Sequence, residues 1–387
     1  METMYWRNWR NWRNQIFNLL TKSSTLFLIA TICTTAAMAD FEENNNPDQM
    51  SKAGKFANNP LKFNHNFDSL PKSARLKKIP WPESYWPSVA GGIRNRFQGN
   101  LTPTRFDLLF LTKKKLKSMS PEKIAKLSPT EKLDLLLGDY KFTFTKEEID
   151  RTKEACGILS GLNKGWWGLC HGWSPASLQY PEPDCTTVTN PDGIEIKFVS
   201  SDLKALALYF VGEVSELKGC SCGTRCELSV LNPFRKKDPS YIDINPGAFF
   251  IVLANLISND QGFVMDRTTD SPIWNQPVFG FSTKVISDRK ISNGRREVDI
   301  ELKVDWLVEL PSNVKPYGDD PRAQKNSIYT ATLEIDKDGN IDGGKWSGKS
   351  VDDHPDFIWM DPTDDMCKYG PRWVAVDKLL KEATKNK

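Results

Sequence analysis

The stretch Gly165–Ser177, GWWGLCHGWSPAS, places a cysteine and a histidine side by side between tryptophan-rich flanks. A cysteine thiolate attacks an acyl carbon when a base takes its proton and amide donors hold the oxyanion. Gly168 allows a tight turn before Cys170, and a helix beginning there would add thiolate character through its dipole. Two alternatives stay open for Cys170: a catalytic nucleophile, or one half of a disulfide bond.

The chain holds only three histidines, so candidates for the base are few. His171 adjoins Cys170, and successive side chains of a helix point about 100° apart, so we expect His171 to pack or bond locally. His65 lies in a polar N-terminal segment and is not expected in a site. His354, in DDHPDFIW, is the candidate catalytic histidine, and the alternative is a structural histidine whose ring bonds the backbone.

The tryptophans around the cysteine suggest the kind of reaction. Trp166, Trp167 and Trp173 are predicted to wall the cleft and exclude water, which would otherwise compete with an amine for a thioester. Pro175 interrupts any helix through this stretch. Either a helix begins at Cys170 and tolerates the proline, or it begins at Ser174 and leaves Cys170 on the preceding turn.

The elements that must position these residues change in character along the chain. LSPTEKLDLLLGDY and DINPGAFFIVLANLI read as helices, capped by Ser128 with Glu131 and by Asn245 with Pro246. Later segments such as VFGFSTKVI and EVDIELKVDWLVEL are rich in β-branched and aromatic residues. EIDKDGNIDGGKW fails the pattern of a calcium loop and predicts a hairpin turn. We therefore predict an α+β fold, a helical half followed by an antiparallel sheet.

The N-terminus predicts export. Arg7, Arg10 and Arg13 precede a short apolar run and the sequence AAMAD, which together are typical of a secretory signal with cleavage after Ala39. The run is shorter than the ~20 residues that span a bilayer, so we expect no stable membrane anchor after cleavage. Residues 1–39 are the predicted signal peptide, residues 40–77 a polar flexible segment or pro-segment, and residues 78–387 one domain, secreted or periplasmic.

Composition and cysteine count narrow the function further. A net charge of +3 on 387 residues gives no reason to expect a nucleic-acid partner. Cys33 leaves with the signal, and seven cysteines remain, so pairing predicts disulfide bonds and one odd cysteine, either a free reactive thiol or half of an intermolecular bridge. The cluster CSCGTRC lacks the ligand pairs of a zinc site and reads as a disulfide-bonded loop. No metal or cofactor is predicted.

Several long motifs carry a resemblance. WWGLCHGWSPAS, DINPGAFFIVLANLI, GFVMDRTTDSPIWNQPVFGF and DDHPDFIW resemble the transglutaminase elicitor family of oomycete plant pathogens and bacteria, over residues 78–380. The resemblance implies a distantly papain-like fold with Cys170 as nucleophile and Asp266 as the acidic member of the site. It also implies that protein glutamine side chains are joined to primary amines, with release of ammonia.

One position departs from the family pattern as the resemblance implies it. A histidine is expected directly after NPGAF, and Phe250 stands there. Three functions remain open: a secreted transglutaminase-like enzyme using His354, a papain-like amidase or protease, or an inactive binding or effector protein. IWNQPVFGF resembles the surface peptide by which plants detect the oomycete enzymes; alternatively, Trp274 anchors the entry of a strand. Phe250 and Trp274 complete the predicted cleft.

Overall fold

A computed structural model describes residues 41–99, 111–155, 167–224, 243–269 and 272–385 of the chain. The predicted signal peptide, residues 1–39, lies outside the described residues and stays a prediction. From Phe41 onward the chain forms one unit that combines helices with antiparallel sheet.

Most helices precede the long strands and begin at the caps that the sequence provides. The Ser128 backbone N–H donates to Glu131 Oε2 at 3.0 Å in a capping box, and Asn245 Oδ1 accepts from the Gly247 N–H at 2.8 Å. Within the described ranges the α-helices are α1 (Lys113–Lys117), α2 (Pro121–Ile124), α3 (Pro129–Leu136), α4 (Thr143–Ala155), α5 (Cys170–Gln179), α6 (Ser200–Tyr209), α7 (Pro246–Ser258) and α8 (Pro371–Ala383), and a π-helical turn, Phe210–Val214, continues α6.

The strands form one large antiparallel sheet and one small hairpin. The hairpin pairs β2 (Thr186–Thr189) with β3 (Glu195–Phe198). The strands of the large sheet are β1 (Ser73–Arg75), β4 (Cys220–Gly223), β5 (Phe263–Asp266), β6 (Asn275–Lys290), β7 (Arg296–Leu307), β8 (Gln324–Ile335), β9 (Ile341–Trp346) and β10 (Phe357–Met360). Their order in the sheet is β4-β10-β5-β6-β7-β8-β9, and β1 pairs with Gly280–Ser282 of β6. The predicted α+β class is confirmed.

Two hydrophobic cores lie on the two sides of β6, because successive side chains of a strand point to opposite faces. Val278 belongs to the first core, which also contains the buried side chains of α7. Its neighbour Phe279 belongs to the second core, together with side chains of α5, α6 and α8. Helix α5, which begins with Cys170, and helix α7, which carries Phe250, therefore pack into different cores.

Residues 41–77 are part of the folded unit. They form three 3-10 turns, Glu43–Asn45, Pro47–Lys52 and Gly54–Phe56, followed by β1. Met50 and Phe67 from this segment are buried in the first core. Residues 41–77 are therefore ordered rather than flexible, because their apolar side chains pack in the first core. The alternative that they form a pro-segment stays a prediction.

The segment EIDKDGNIDGGKW forms a hairpin turn between β8 and β9. Asp336 Oδ1 accepts the backbone N–H groups of Asp338 and Asn340 at 2.8 Å each, and Gly339 takes a left-handed φ of 86°. These contacts close the predicted hairpin.

Among the described residues, the helices are all too short or too polar to cross a bilayer. Nowhere in the same ranges do three His, Cys, Asp or Glu side chains group as metal ligands would.

Candidate active site

Cys170 is the first residue of α5, a helix of ten residues that continues through Pro175. The helix therefore begins at the cysteine rather than at Ser174. The Leu169 N–H donates to the Tyr85 carbonyl at 2.6 Å, which holds the preceding turn. A side chain on Gly168 would overlap the same carbonyl, so glycine is required there. The positive end of the helix dipole thus lies at the sulfur, where it favours the thiolate.

The Cys170 sulfur is free, 6% exposed and within reach of an amide donor. Asn275 Nδ2 donates to the sulfur at 3.5 Å. The orientation of this amide is set from its other end, because the Trp359 indole N–H donates to Asn275 Oδ1 at 2.9 Å. As a thiol, the cysteine reaches the Ile273 carbonyl at 3.9 Å. An N–H donor to sulfur stabilises the charged form of the cysteine.

Asp266 lies one strand away from this contact. It is fully buried at the end of β5 and is the antiparallel partner of Asn275 on β6. Its Oδ1 accepts the Trp274 backbone N–H at 3.0 Å. The structure therefore brings the predicted acidic residue beside the segment that touches the sulfur, where its carboxylate holds the entry of β6 through the Trp274 N–H.

His354 lies in a separate cluster. Its Nδ1 pairs with the Ser350 carbonyl at 2.8 Å and its Nε2 with Asp243 Oδ2 at 3.0 Å. The ring also stacks on Trp346, with 5.1 Å between ring centroids. Both ring nitrogens are used by these contacts, as in the structural alternative, and the described contacts do not join His354 to Cys170.

His171 is the histidine that the structure places at the sulfur. Burial alone would lower the pKa of His171, but hydrogen bonds to the Cys170 and Glu213 side chains, with their negative charge, raise that pKa to about 9. Its Nε2 lies 3.5 Å from Glu213 Oε1. The imidazole is therefore protonated at neutral pH, and its positive charge lies next to the Cys170 side chain.

A chain of alternating charges supports the imidazolium. Arg151 Nη1 donates to Glu213 Oε1 at 3.2 Å. The same guanidinium bonds Glu148 through Nε at 2.6 Å and Nη2 at 2.9 Å. The sequence does not predict Glu213 or Arg151, because neither lies near Cys170 in the chain. For His171 the available signal is its position directly after Cys170.

The predicted cleft residues divide into three groups. Trp166 lies outside the described residues. Trp173 and Phe250 are fully buried; the Trp173 indole donates to the Trp81 carbonyl at 3.0 Å, so both are core residues rather than cleft walls. Phe250 packs in the first core against Phe67, with ring centroids 5.8 Å apart, and therefore not beside Cys170.

Trp167 and Trp274 are half-buried and remain at the site. The Trp167 carbonyl accepts the Ser88 N–H at 2.8 Å. Trp274 meets Tyr85 edge to face, with ring centroids 5.9 Å apart. Tyr85 was not predicted. The segment Asn275–Phe281 that follows is buried in β6, which matches the strand-entry alternative and not an exposed recognition peptide.

The remaining cysteines bear on the disulfide prediction. Five cysteines are free in the described residues: Cys170, Cys185, Cys220, Cys222 and Cys367. Burial raises the pKa of Cys220 and of Cys222 to about 12, which makes both poor nucleophiles. Cys156 and Cys226 lie outside the described residues. The disulfide-bonded loop therefore has no bond in its described part and otherwise stays a prediction.

Comparison with known proteins agrees with the motifs. The fold is similar to the crystal structure of the GP42 transglutaminase from Phytophthora sojae, with a TM-score of 0.61, 21% identity and coverage of 84% of this chain and 95% of that chain. A likeness at this identity shows a shared fold. A comparison with curated proteins found no match. A family model described as transglutaminase elicitor matches residues 48–386, so the chain belongs to the transglutaminase elicitor family.

Proposed function

We propose that this protein is an exported acyltransferase that joins protein glutamine side chains to primary amines through a thioester on Cys170. The observation that carries the proposal is the free sulfur at the start of α5, with donors from Asn275 and His171. Membership of the transglutaminase elicitor family supports the choice of reaction. The predicted signal at residues 1–39 supports export.

The first half of the reaction forms the acyl-enzyme. The Cys170 thiolate attacks the glutamine amide carbon, and a C–S bond forms as the C–N bond breaks. The leaving nitrogen takes the proton of the His171 imidazolium and departs as ammonia. The imidazole is then neutral, and its pKa of about 9 makes it a base ready to be reprotonated.

The second half returns the enzyme to its starting state. A neutral primary amine attacks the thioester carbon, a C–N bond forms and the C–S bond breaks to restore the thiolate. The proton lost by the amine nitrogen passes to His171. Asn275 stabilises the thiolate in both halves because its amide is held by Trp359 and cannot turn its oxygen to the sulfur. Glu213 and Arg151 keep the ring in place.

The test compares Cys170→Ala with wild type for incorporation of a labelled primary amine into casein, alongside release of ammonia. We expect loss of both signals by on the order of 10⁴-fold, as for removal of a catalytic nucleophile. Cys185→Ala, which removes an exposed free thiol elsewhere, is the matched control and should behave as wild type.

Other outcomes identify the alternatives. Ammonia release without amine uptake indicates an amidase, and cleavage of casein indicates a protease. Amine incorporation that survives Cys170→Ala contradicts the proposal outright. A wild type that is silent in every assay leaves a binding or effector protein with the family fold.

A further inference from the structure

A dense group of lysines on α1 and α2 has no part in the proposed reaction. These exposed side chains, which we call the basic surface, are Lys113, Lys114, Lys115, Lys117, Lys123 and Lys126. Four of the five residues of α1 are lysines. Like charges three or four residues apart on a helix repel one another. The composition of α1 therefore costs stability and calls for an explanation.

The charge of the basic surface is only partly neutralised. Asp192 Oδ1 lies 2.7 Å from Lys113 Nζ and 3.4 Å from Lys117 Nζ. Within the described part of the chain, the other four lysines have no carboxylate in ion-pair distance. Glu122 is the only acidic residue of the segment and is itself exposed. An excess of positive charge therefore remains on this surface.

This excess is a local concentration of charge rather than a property of the whole molecule. The full chain has a net charge of +3, and the predicted signal, residues 1–39, contains four basic side chains and one acidic side chain. Residues 40–387 therefore carry equal numbers of basic and acidic side chains. A neutral protein with one strongly basic surface would be oriented by a negatively charged partner, because that surface alone is attracted to it.

The lysines stand on a fixed platform. Leu116 of α1 and Ile124 of α2 are buried in the second core, so the two helices cannot turn freely. The five residues of α1 span about 7.5 Å, close to the Debye length of about 8 Å at physiological ionic strength, and their charges therefore act together. Two apolar side chains, Leu111 and Met119, lie on either side of α1 in the chain and are only half-buried.

We infer that the basic surface binds an anionic lipid bilayer. Lysine clusters of this size attract negatively charged headgroups, and each ammonium group near the membrane surface contributes about fivefold to binding. Leu111 and Met119 add apolar contacts at the level of the headgroups. A nucleic acid matches this surface less well, because residues 111–126 contain no arginine for bidentate phosphate contacts and no aromatic residue for base stacking.

The test measures co-sedimentation with vesicles of phosphatidylcholine, with and without about one third phosphatidylglycerol. It uses residues 40–387, which contain the whole folded unit, because the arginines and apolar run of the predicted signal would themselves attract lipid. We expect the wild-type sequence to bind only the anionic vesicles, and binding should weaken as salt is added.

Two matched variants locate the binding surface. One carries Lys114→Gln, Lys115→Gln, Lys123→Gln and Lys126→Gln, which leave both ion pairs of Asp192 in place, and it should lose on the order of 100-fold in affinity. The control carries Lys62→Gln, Lys284→Gln, Lys325→Gln and Lys349→Gln, which remove the same charge from exposed positions elsewhere, and it should bind as wild type does. Urea midpoints confirm that both variants are folded.

Three results would overturn the inference: no binding of wild type to the anionic vesicles, equal binding to both kinds of vesicle, or equal losses in the two quadruple variants. Binding of wild type to duplex DNA or polyglutamate, at concentrations where vesicles stay unbound, would also overturn it and identify a soluble polyanion as the partner. Amine incorporation without vesicles should be the same in wild type and both variants, so this inference and the proposed reaction stand or fail separately.

Discussion

Three groups act on the Cys170 sulfur: the start of α5, the Asn275 amide and the His171 ring. Their magnitudes differ. A helix dipole contributes about 0.3–1 kcal/mol to a charge at its end, whereas a hydrogen bond to a charged group contributes about 1.5–3 kcal/mol. Negative charge that develops on the sulfur during the reaction is therefore expected to be stabilised mainly by the side chains, with a smaller contribution from the helix.

The pH dependence of folding stability should reveal the charge on the His171 ring. Its pKa is raised from 6.5 to about 9 on folding, so the protonated ring stabilises the folded state fully below pH 6.5, and this contribution is lost as the pH rises through 9. We expect the urea midpoint of wild type to fall across that window and His171→Gln to flatten the fall. His65→Gln, which alters a partly exposed histidine, should keep the wild-type slope. Identical slopes for wild type and His171→Gln would contradict the assignment.

At the scale of elements, the site depends on the close approach of α5 to α6 and its π-helical continuation. A Cβ atom on Gly172 would overlap the Leu208 carbonyl oxygen and lie 3.2 Å from Gly212 Cα. The π-helical turn Phe210–Val214 carries Glu213 and directs it to His171. Such turns occur often at functional sites because the wider turn re-aims a side chain. The distance between these two helices therefore sets the contact between Glu213 and His171.

Gly172→Ala tests this dependence. The methyl group should push α5 away from α6, lower the free energy of unfolding by about 1–3 kcal/mol, and reduce amine incorporation because Cys170 and His171 move with the helix. Gly138→Ala is the comparison, since its methyl would meet nothing within 4 Å and the change carries the backbone cost alone at a φ of 69°. Denaturant titration and the amine assay are measured on both. Full activity in Gly172→Ala would show that the approach of the helices is not needed.

At the scale of the whole molecule, the N-terminal segment completes the first core. Phe67 is 4% exposed and packs against Phe250 of α7, and β1 extends the sheet beside β6. The family match also begins at residue 48, well inside this segment. Removing residues 41–77 would uncover apolar surface of α7 and β6, so the segment stabilises the fold that holds the site.

Phe67→Ala measures that contribution. We expect the free energy of unfolding to fall by about 3–5 kcal/mol, as for other large-to-small core changes, with activity retained by the molecules that stay folded. Lys62→Ala, at an exposed position of the same segment, should change stability by less than about 0.5 kcal/mol. If proteolysis near residue 77 instead leaves a folded protein with increased amine incorporation, the segment is an inhibitory pro-segment and this account is wrong.

The sequence by itself determined the features that depend on neighbours in the chain. The caps at Ser128 and Asn245, the hairpin at Asp338–Gly339 and the α+β order follow from local hydrogen bonding and from helical or strand periodicity, and the structure confirms them. The motif around Cys170 likewise identified the family, because a run of rare residues is specific without any knowledge of contacts.

Only the tertiary structure decided which side chains meet. Asn275 reaches the Cys170 sulfur because β6 passes beside α5, and no local pattern in the sequence reports such a crossing. Trp173 and Phe250 look like cleft residues in the sequence but belong to the two cores. The sequence of an aromatic residue's neighbours does not show whether its ring packs in a core or lines a cleft, and the partners of a titratable group depend on the tertiary contacts. Packing between elements distant in the chain therefore determines which residues form the candidate site.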